Sequence, residues 1–322
     1  MITPKDLALK IKEQESLVEG GRWCAGCSFP PIIRTVLAAA GKDVITTSAT
    51  GCLEVTSTIY PYSSWGVPFM HNAFENSAST TTGLESAYKY LQKDNVKSEL
   101  KDKIKGKNIK FVAFGGDGGT YDIGLQALSG ALERGHDFLY VCYDNGAYMN
   151  TGNQRSSATP FGAAASTAQS GKAHLAGKEE RRKDLIKIAL AHNIKYVAQA
   201  SAFNLTDLYN KAEKAFSIKG PKLLLVYSPC ISNWQFEEGD GPEIAKLATE
   251  TNFWPLYEVE DGKYKLNYKP ASPKPIEEFL KRQNRFKHLF KDENSKKIIE
   301  EIQQIVNQDW QKLQDLVEFT NR

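Results

Sequence analysis

The stretch from Lys110 to Gln154 leaves few folds open to the chain. An apolar run, Phe111 to Phe114, ends in a glycine cluster around one aspartate, Gly115-Gly116-Asp117-Gly118-Gly119. A helical pattern follows from Asp122 to Arg134, and a second apolar run, Phe138 to Tyr143, ends at Asp144-Asn145. Strand, tight turn, helix and strand fill the length that one βαβ unit needs. Parallel strands joined in this way belong in a sheet covered on both faces, with its ligands at the carboxyl ends.

The turn also carries a chemistry. Glycines let the backbone approach a diphosphate, and the following helix points its positive end at the anion. Asp117 can hold a hard cation that bridges two phosphates, and Mg2+ prefers such oxygen ligands. The Asn145 side chain and the Ala147 carbonyl just after it complete that coordination. GDG alone also reads as a glycine-rich turn with a solvated aspartate. Asn145, followed by NTGNQ, favours the phosphate reading.

The rest of the chain repeats the alternation. A helix is expected from Pro30-Pro31 to Ala40, a strand over Asp43 to Thr47, an irregular loop over Tyr60 to Pro68 and a small-residue helix over Asn72 to Gln92. Lys93 to Asn108 reads as a charged surface connection. Arg155 to Gly177 is a long Ser/Thr/Ala/Gly loop, of the kind that serves function or a partner. Helix, strand, helix and strand follow at Glu179–His192, Lys195–Gln199, Leu205–Phe216 and Pro221–Tyr227. The expected fold is α/β, a doubly wound, mostly parallel sheet over residues 1–240. A C-terminal extension, 241–322, holds a hairpin (Trp254 to Tyr268) and charged helices, and packs on the core or on a partner.

At 322 residues the chain can bury a sizeable core, and its net charge of +3 gives no case for nucleic acid or a membrane surface. The N-terminus lacks the apolar segment of a secretion signal, and no apolar run has the length of a membrane span. The expected location is cytoplasmic, where cysteines serve as metal or redox residues rather than disulfides. Cys24 and Cys27 form a CxxC, Cys52 follows a strand, and Cys230 ends another. An iron–sulfur cluster, a four-thiolate zinc site and four separate buried thiols all fit this spacing. Cys142, inside FLYVCY, reads as core. His71 and Glu75 form either an acid–base pair or a hydrogen-bonded helix start, whereas His136, His174, His192 and His288 read as surface residues.

GDG, a spacer of just under thirty residues and an asparagine resemble the diphosphate signature of thiamine-diphosphate enzymes. The fuller wording, GGDGGTYDIGLQ, LERGH, YDN and YMNTGNQRSSATP, resembles the beta subunits of pyruvate:ferredoxin oxidoreductases, in the 2-oxoacid:ferredoxin oxidoreductase family. The resemblance runs from GRWCAGC to RFKHLF. It implies thiamine diphosphate on Gly116, Asp117, Gly118, Gly119, Thr120, Asn145 and Ala147, with Mg2+ on Asp117, Asn145 and Ala147. It places Asn150 and Thr151 beside the thiazolium and substrate, as catalytic residues. It assigns Cys24, Cys27, Cys52 and Cys230 to a proximal [4Fe–4S] cluster, with Cys52 also beside the thiamine cofactor. The implied reaction is reversible oxidative decarboxylation of a 2-oxoacid, pyruvate first, with coenzyme A taking the acyl group and ferredoxin the electrons. Branched-chain oxoacids, oxalate and 2-oxoglutarate stay open, as does a non-redox thiamine-dependent decarboxylase subunit with structural zinc. One diphosphate-type unit and no pyrimidine-type unit imply an alpha-type partner subunit, with gamma- and delta-type subunits beside it. Two departures from the family wording are CAGCS, for a more glycine-rich motif, and Gly146-Ala147, where an acidic residue is common.

Overall fold

The apolar runs become the inner strands of a single sheet in the computed structural model, which describes residues 1–172, 174–291 and 293–322. Among these residues the strands are β1 (Val44–Ala49), β2 (Phe69–Asn72), β3 (Lys110–Gly116), β4 (Leu139–Asp144), β5 (Tyr196–Ser201), β6 (Lys222–Tyr227), β7 (Tyr257–Glu260) and β8 (Lys263–Leu266). Their spatial order is β2-β1-β3-β4-β6-β5-β7-β8. Pairing is parallel from β2 through β5, and antiparallel where the β7–β8 hairpin joins the β5 edge. This is the expected doubly wound sheet.

Strands β4, β5 and β6 are buried at every position, as strands covered on both faces must be. Alternate residues enter two separate apolar layers. Phe111, Ala113, Tyr140 and Leu223 face one, and Val112, Phe114, Val141 and Leu224 face the other. The second layer is closed by the helices Phe29–Ala40 and Leu205–Ser217. The first holds Trp234, Phe279 and Phe286 from the C-terminal part of the chain, with Ile299, Ile302 and Val306 of the long helix Glu293–Thr320. That helix lies on its own chain. Asp309 pairs with Arg181, and Thr320 Oγ1 accepts from the Tyr264 amide at 3.0 Å.

The small-residue helix runs from Ser77 to Leu91, and its close packing has a polar cause. Thr47 Oγ1 on β1 lies 2.6 Å from Thr81 Oγ1, and Ser77 Oγ donates to Phe114 O at 3.2 Å. Buried hydroxyls there satisfy one another and leave little room for bulk.

Several expectations need correction. The helix expected from Asn72 begins only at Ser77: Asn72 ends the edge strand β2, where His71 is exposed, and residues 73–76 form a turn. The surface connection contains a short helix, Glu99–Ile104. Only Leu185–Leu190 of the helix expected over Glu179–His192 is helical. The preceding residues are drawn out by Arg182, which bonds Asp144, and by Lys183 Nζ, which donates to Tyr121 O at 2.7 Å. His136, His192 and His288 are half-buried rather than surface residues. His192 meets Ser129 Oγ at 2.7 Å, and His288 Nε2 meets Ala176 O at 3.1 Å.

His136 Nδ1 lies 2.9 Å from Glu85, a buried carboxylate that also pairs with Lys89. Burial alone raises the Glu85 carboxyl, but hydrogen bonds from Lys89, His136 and the Asp137 amide outweigh it and hold the pKa below 4.5. A depressed carboxylate stabilises the fold above its unfolded pKa, and that stability fades as pH falls through the folded value. Glu85→Gln is therefore expected to lower the denaturation midpoint at pH 7. The gap from the unsubstituted chain should close below about pH 4, as read from urea titrations across pH.

Candidate active site

Parallel pairing sets the carboxyl ends of β1, β3 and β4 along one rim of the sheet. The chain turns left from β1 to β2 and right from β3 to β4, so a crevice opens at the switch between β1 and β3. The cleft there is lined by Thr50, Gly51 and Cys52 after β1, Gly116 to Gly119 after β3, and Asn145 with Ala147 to Thr151 after β4. Phe74 and Tyr143 complete its walls. Sequence reasoning gave no role to these two aromatics or to Tyr148, although Tyr143 opens YDN and Tyr148 opens YMNTGNQ.

The glycine turn does not enter an α-helix directly. Gly118–Asp122 is a single π turn, closed by the Ile123 amide donating to Gly118 O at 3.3 Å, and the α-helix proper is Leu125–Glu133. Gly124 makes this bend, since a Cβ there would stand 2.1 Å from Gly119 O. Such π turns recur at functional sites. Gly118 is equally constrained: its missing Cβ leaves space for the Tyr148 ring, which would otherwise lie 2.3 Å away. Tyr148 stacks on Phe74 with ring centroids 5.5 Å apart and donates to Gly118 O at 3.1 Å.

Asp117 is 1% exposed. Its Oδ1 accepts from the Asn145 amide at 3.3 Å and its Oδ2 from Ser156 Oγ at 2.5 Å. Burial first, then the Asp144 charge, raises this carboxyl well above the ordinary range. Ionised, it lacks a cation partner among the described residues, and a divalent ion bound at this turn would supply one. The donors fit Mg2+: a carboxylate, an amide oxygen and a carbonyl, all hard ligands. Asn145 Oδ1 accepts from the Ala147 amide at 3.2 Å, which fixes the turn. Asp144 reinforces it by accepting from the Gly146 amide at 3.1 Å while its other oxygen bonds Tyr121 and Arg182.

The CxxC loop packs against the Cys230 segment. Ser28 Oγ lies 2.6 Å from Ser228 Oγ, and Cys24 Sγ lies 3.5 Å from Ser232 Oγ. A Cβ on Gly26 would stand 2.4 Å from Glu238 O. The Arg22 amide donates to Thr56 O at 2.8 Å, tying the same loop to the short helix Cys52–Ser57. Burial pushes the Cys27 and Cys52 thiols up to about 12 and Cys230 to about 11. Cys230, Cys24 and Cys52 add to the rise at Cys27, Cys230, Cys24 and Asp117 to that at Cys52, and Cys24 to that at Cys230. The side chains are nevertheless not drawn in: among the described residues, no three His, Cys, Asp or Glu groups stand ready to hold an ion. Cys142 is fully buried on β4, in the core.

This rim is a known one. Residues 49–226 match the family model described as thiamine pyrophosphate enzyme, C-terminal TPP binding domain. Pyruvate synthase subunit PorB of Thermotoga maritima is 48% identical over 98% of this chain and 97% of that one. The PorB subunit of Methanocaldococcus jannaschii is 46% identical over 94% and 97%. The chain belongs to the 2-oxoacid:ferredoxin oxidoreductase family, as its beta subunit. Ketoisovalerate oxidoreductase subunit VorB of Pyrococcus abyssi is 41% identical, over 99% of each chain. Among solved structures, the 2-oxoglutarate:ferredoxin oxidoreductase of Magnetococcus marinus shares the fold, with a TM-score of 0.55 and 23% identity over 69% of this chain and 68% of that one.

In this beta subunit the predicted residues are placed as follows. Gly116, Asp117, Gly118, Gly119, Asn145, Ala147, Asn150, Thr151 and Cys52 all line the one cleft. Thr120 is turned away, its hydroxyl donating to Gly116 O at 2.7 Å beneath the turn. Thr151 Oγ1 donates to Gln154 Oε1 at 2.6 Å. His71 and Glu75 do not share a helix. His71 lies on β2, with Nε2 2.8 Å from Thr50 Oγ1 and Nδ1 3.4 Å from Glu54, while Glu75 is exposed in the loop beyond. A larger cavity lies beneath the helix Glu293–Thr320, between Arg182, Trp254 and Trp310, and none of the predicted site residues lines it. Gly118→Ala is expected to cost about 1–3 kcal/mol through the Tyr148 contact and to lower thiamine diphosphate retention. Denaturant unfolding and thiochrome fluorescence of the bound cofactor check the two effects.

Proposed function

We propose that this beta subunit holds thiamine diphosphate-Mg2+ and a [4Fe–4S] cluster side by side, and oxidises pyruvate with coenzyme A and ferredoxin. One side chain carries the reading. Cys52 lines the same cleft as Asp117 and Asn145, and it also lies within electrostatic reach of Cys24, Cys27 and Cys230. A carbanion-stabilising cofactor thus has a one-electron acceptor as its neighbour. When bound, the first supplies an electron sink for loss of CO2 and the second an outlet for single electrons.

The roles of the residues follow from their placement. Asp117, Asn145 and the Ala147 carbonyl hold the cation, and Gly116, Gly118 and Gly119 let the backbone approach the diphosphate. Thr120 contributes through its backbone, since its hydroxyl is occupied. Asn150 and Thr151, at the mouth of the cleft, position the 2-oxoacid. The four cysteines hold the cluster, and the raised pKa values of Cys27, Cys52 and Cys230 mean that loading it releases protons. An alpha-type subunit covers the cleft and supplies the pyrimidine-side glutamate, with gamma- and delta-type subunits completing a cytoplasmic complex. Residues 241–322 form an extension on the core of residues 1–240. Greater identity to PorB than to VorB subunits favours pyruvate over branched-chain oxoacids.

The complex, purified anaerobically with its partners, should contain thiamine diphosphate, iron and acid-labile sulfide, with no zinc in their place. Cys230→Ser is expected to remove iron equivalent to one cluster while thiamine diphosphate remains. Asp117→Asn should do the reverse, and both should abolish pyruvate-dependent ferredoxin reduction. Zinc at the four thiols, or iron unchanged in the Cys230 variant, would rule out the redox site. Faster turnover of 2-ketoisovalerate, 2-oxoglutarate or oxalate than of pyruvate would reassign the substrate.

A further inference from the structure

Arg285 opens the RFKHLF segment, to which no chemical role was given above, and it is only 4% exposed. Its Nε donates to Gln283 Oε1 at 2.9 Å, while Nη1 and Nη2 have no hydrogen-bond acceptor among the described residues. On one side Cζ stacks 4.0 Å from the centroid of the Trp234 ring. On the other lies Gly146, where an added Cβ would stand 2.8 Å from Nη1. The guanidinium is therefore wedged between the Asn145–Ala147 turn and the one-turn helix Ile231–Trp234 that follows Cys230. Trp234 joins those two segments, donating from Nε1 to Asn145 O at 2.8 Å and from its amide to Cys230 O at 2.9 Å.

No carboxylate is bonded to this charge. The buried Tyr227 hydroxyl faces it, and Asp144, which acts on it more weakly, is committed to Arg182, Tyr121 and the Gly146 amide. An unpaired buried cation is costly, and cation–π contact with Trp234 offsets only part of that. Arg285 and Cys230 act on each other electrostatically, so the charge is felt at the thiol.

We propose that Arg285 is a positioning residue whose fixed positive charge, held between the metal-binding turn and Cys230, favours the reduced form of the neighbouring cluster. This rests on the cluster assignment of the preceding section. Reduction adds one electron, supplied by oxidation of the 2-oxoacid, and so adds one negative charge. A cation fixed nearby in a medium of low dielectric stabilises that state and raises the cluster's potential.

The test is a redox titration of the anaerobic complex followed by electron paramagnetic resonance, reading the signal that Cys24→Ser removes. Arg285→Met is expected to move the midpoint of that signal to a more negative potential, while Arg285→Lys, which keeps the charge, stays near the unsubstituted value. Arg285→Gln gives the same negative shift if the methionine variant does not fold. An unchanged midpoint in the uncharged variants, with iron and thiamine diphosphate fully retained, overturns the inference and leaves the cluster in place. An unsubstituted complex from which Cys24→Ser removes no signal overturns the cluster assignment and this inference together.

Discussion

Asp144 at the end of β4 stands opposite Tyr227 at the end of β6, and the Ser228 amide donates to Asp144 O at 2.9 Å. That register sends two segments out of the sheet side by side: the turn beginning at Asn145 and the run leading to Cys230. A slip in a parallel pair would separate them and reverse which residues face each layer. The site's breadth follows from this one alignment. Asn145 reaches Asp117 on one flank, and Trp234, four residues beyond Cys230, reaches Asn145 on the other. Motifs remote in sequence thus converge without any of them needing a long loop.

The turn is held by charge as much as by packing. Asp144, fully buried, distributes its oxygens among Arg182, Tyr121 and the Gly146 amide. Asp117 lies close enough to feel it. Two carboxylates in one dry region disfavour double ionisation unless cations are supplied, and Arg182 supplies only one. The buried guanidinium of Arg285 sits near the remaining negative charge, and a cation held at Asp117 would add to its effect. Half-satisfied polar networks of this kind are expensive in a core, and they persist where a site uses them.

Much of this was legible in advance because glycine and cysteine report local geometry. The GDG turn and Asn145, which the fold brings to one cleft, could be read from their spacing, whereas a common role for the four cysteines came from family resemblance alone. The inner strands could be read from uninterrupted apolar runs. Strand β2 could not, since an edge strand such as FMHN needs no apolar face. Nor could the unwinding before Leu185, because it depends on Arg182 finding a carboxylate across the fold. The surroundings of His71 could not be read for a similar reason: helical spacing offered Glu75 or a helix start, whereas parallel pairing with β1 brings Thr50 and Glu54 into reach. Arg285, in a charged C-terminal run, has no local signature of burial at all.

The long terminal helix has a consequence for how the protein is made. Ser156, which bonds Asp117, begins a loop whose next residues, Ala158 to Ala163, are covered by Leu289, Ile299, Ile302 and Val306. The Ala164 amide is likewise held by Arg285 O at 2.8 Å. On a ribosome the sheet can form before any of these residues has emerged, because its last strand ends at Leu266. The loop over the Asp117 turn then stays unroofed until residues 285–306 follow, so the sheet and the roof over its rim are ordered in time.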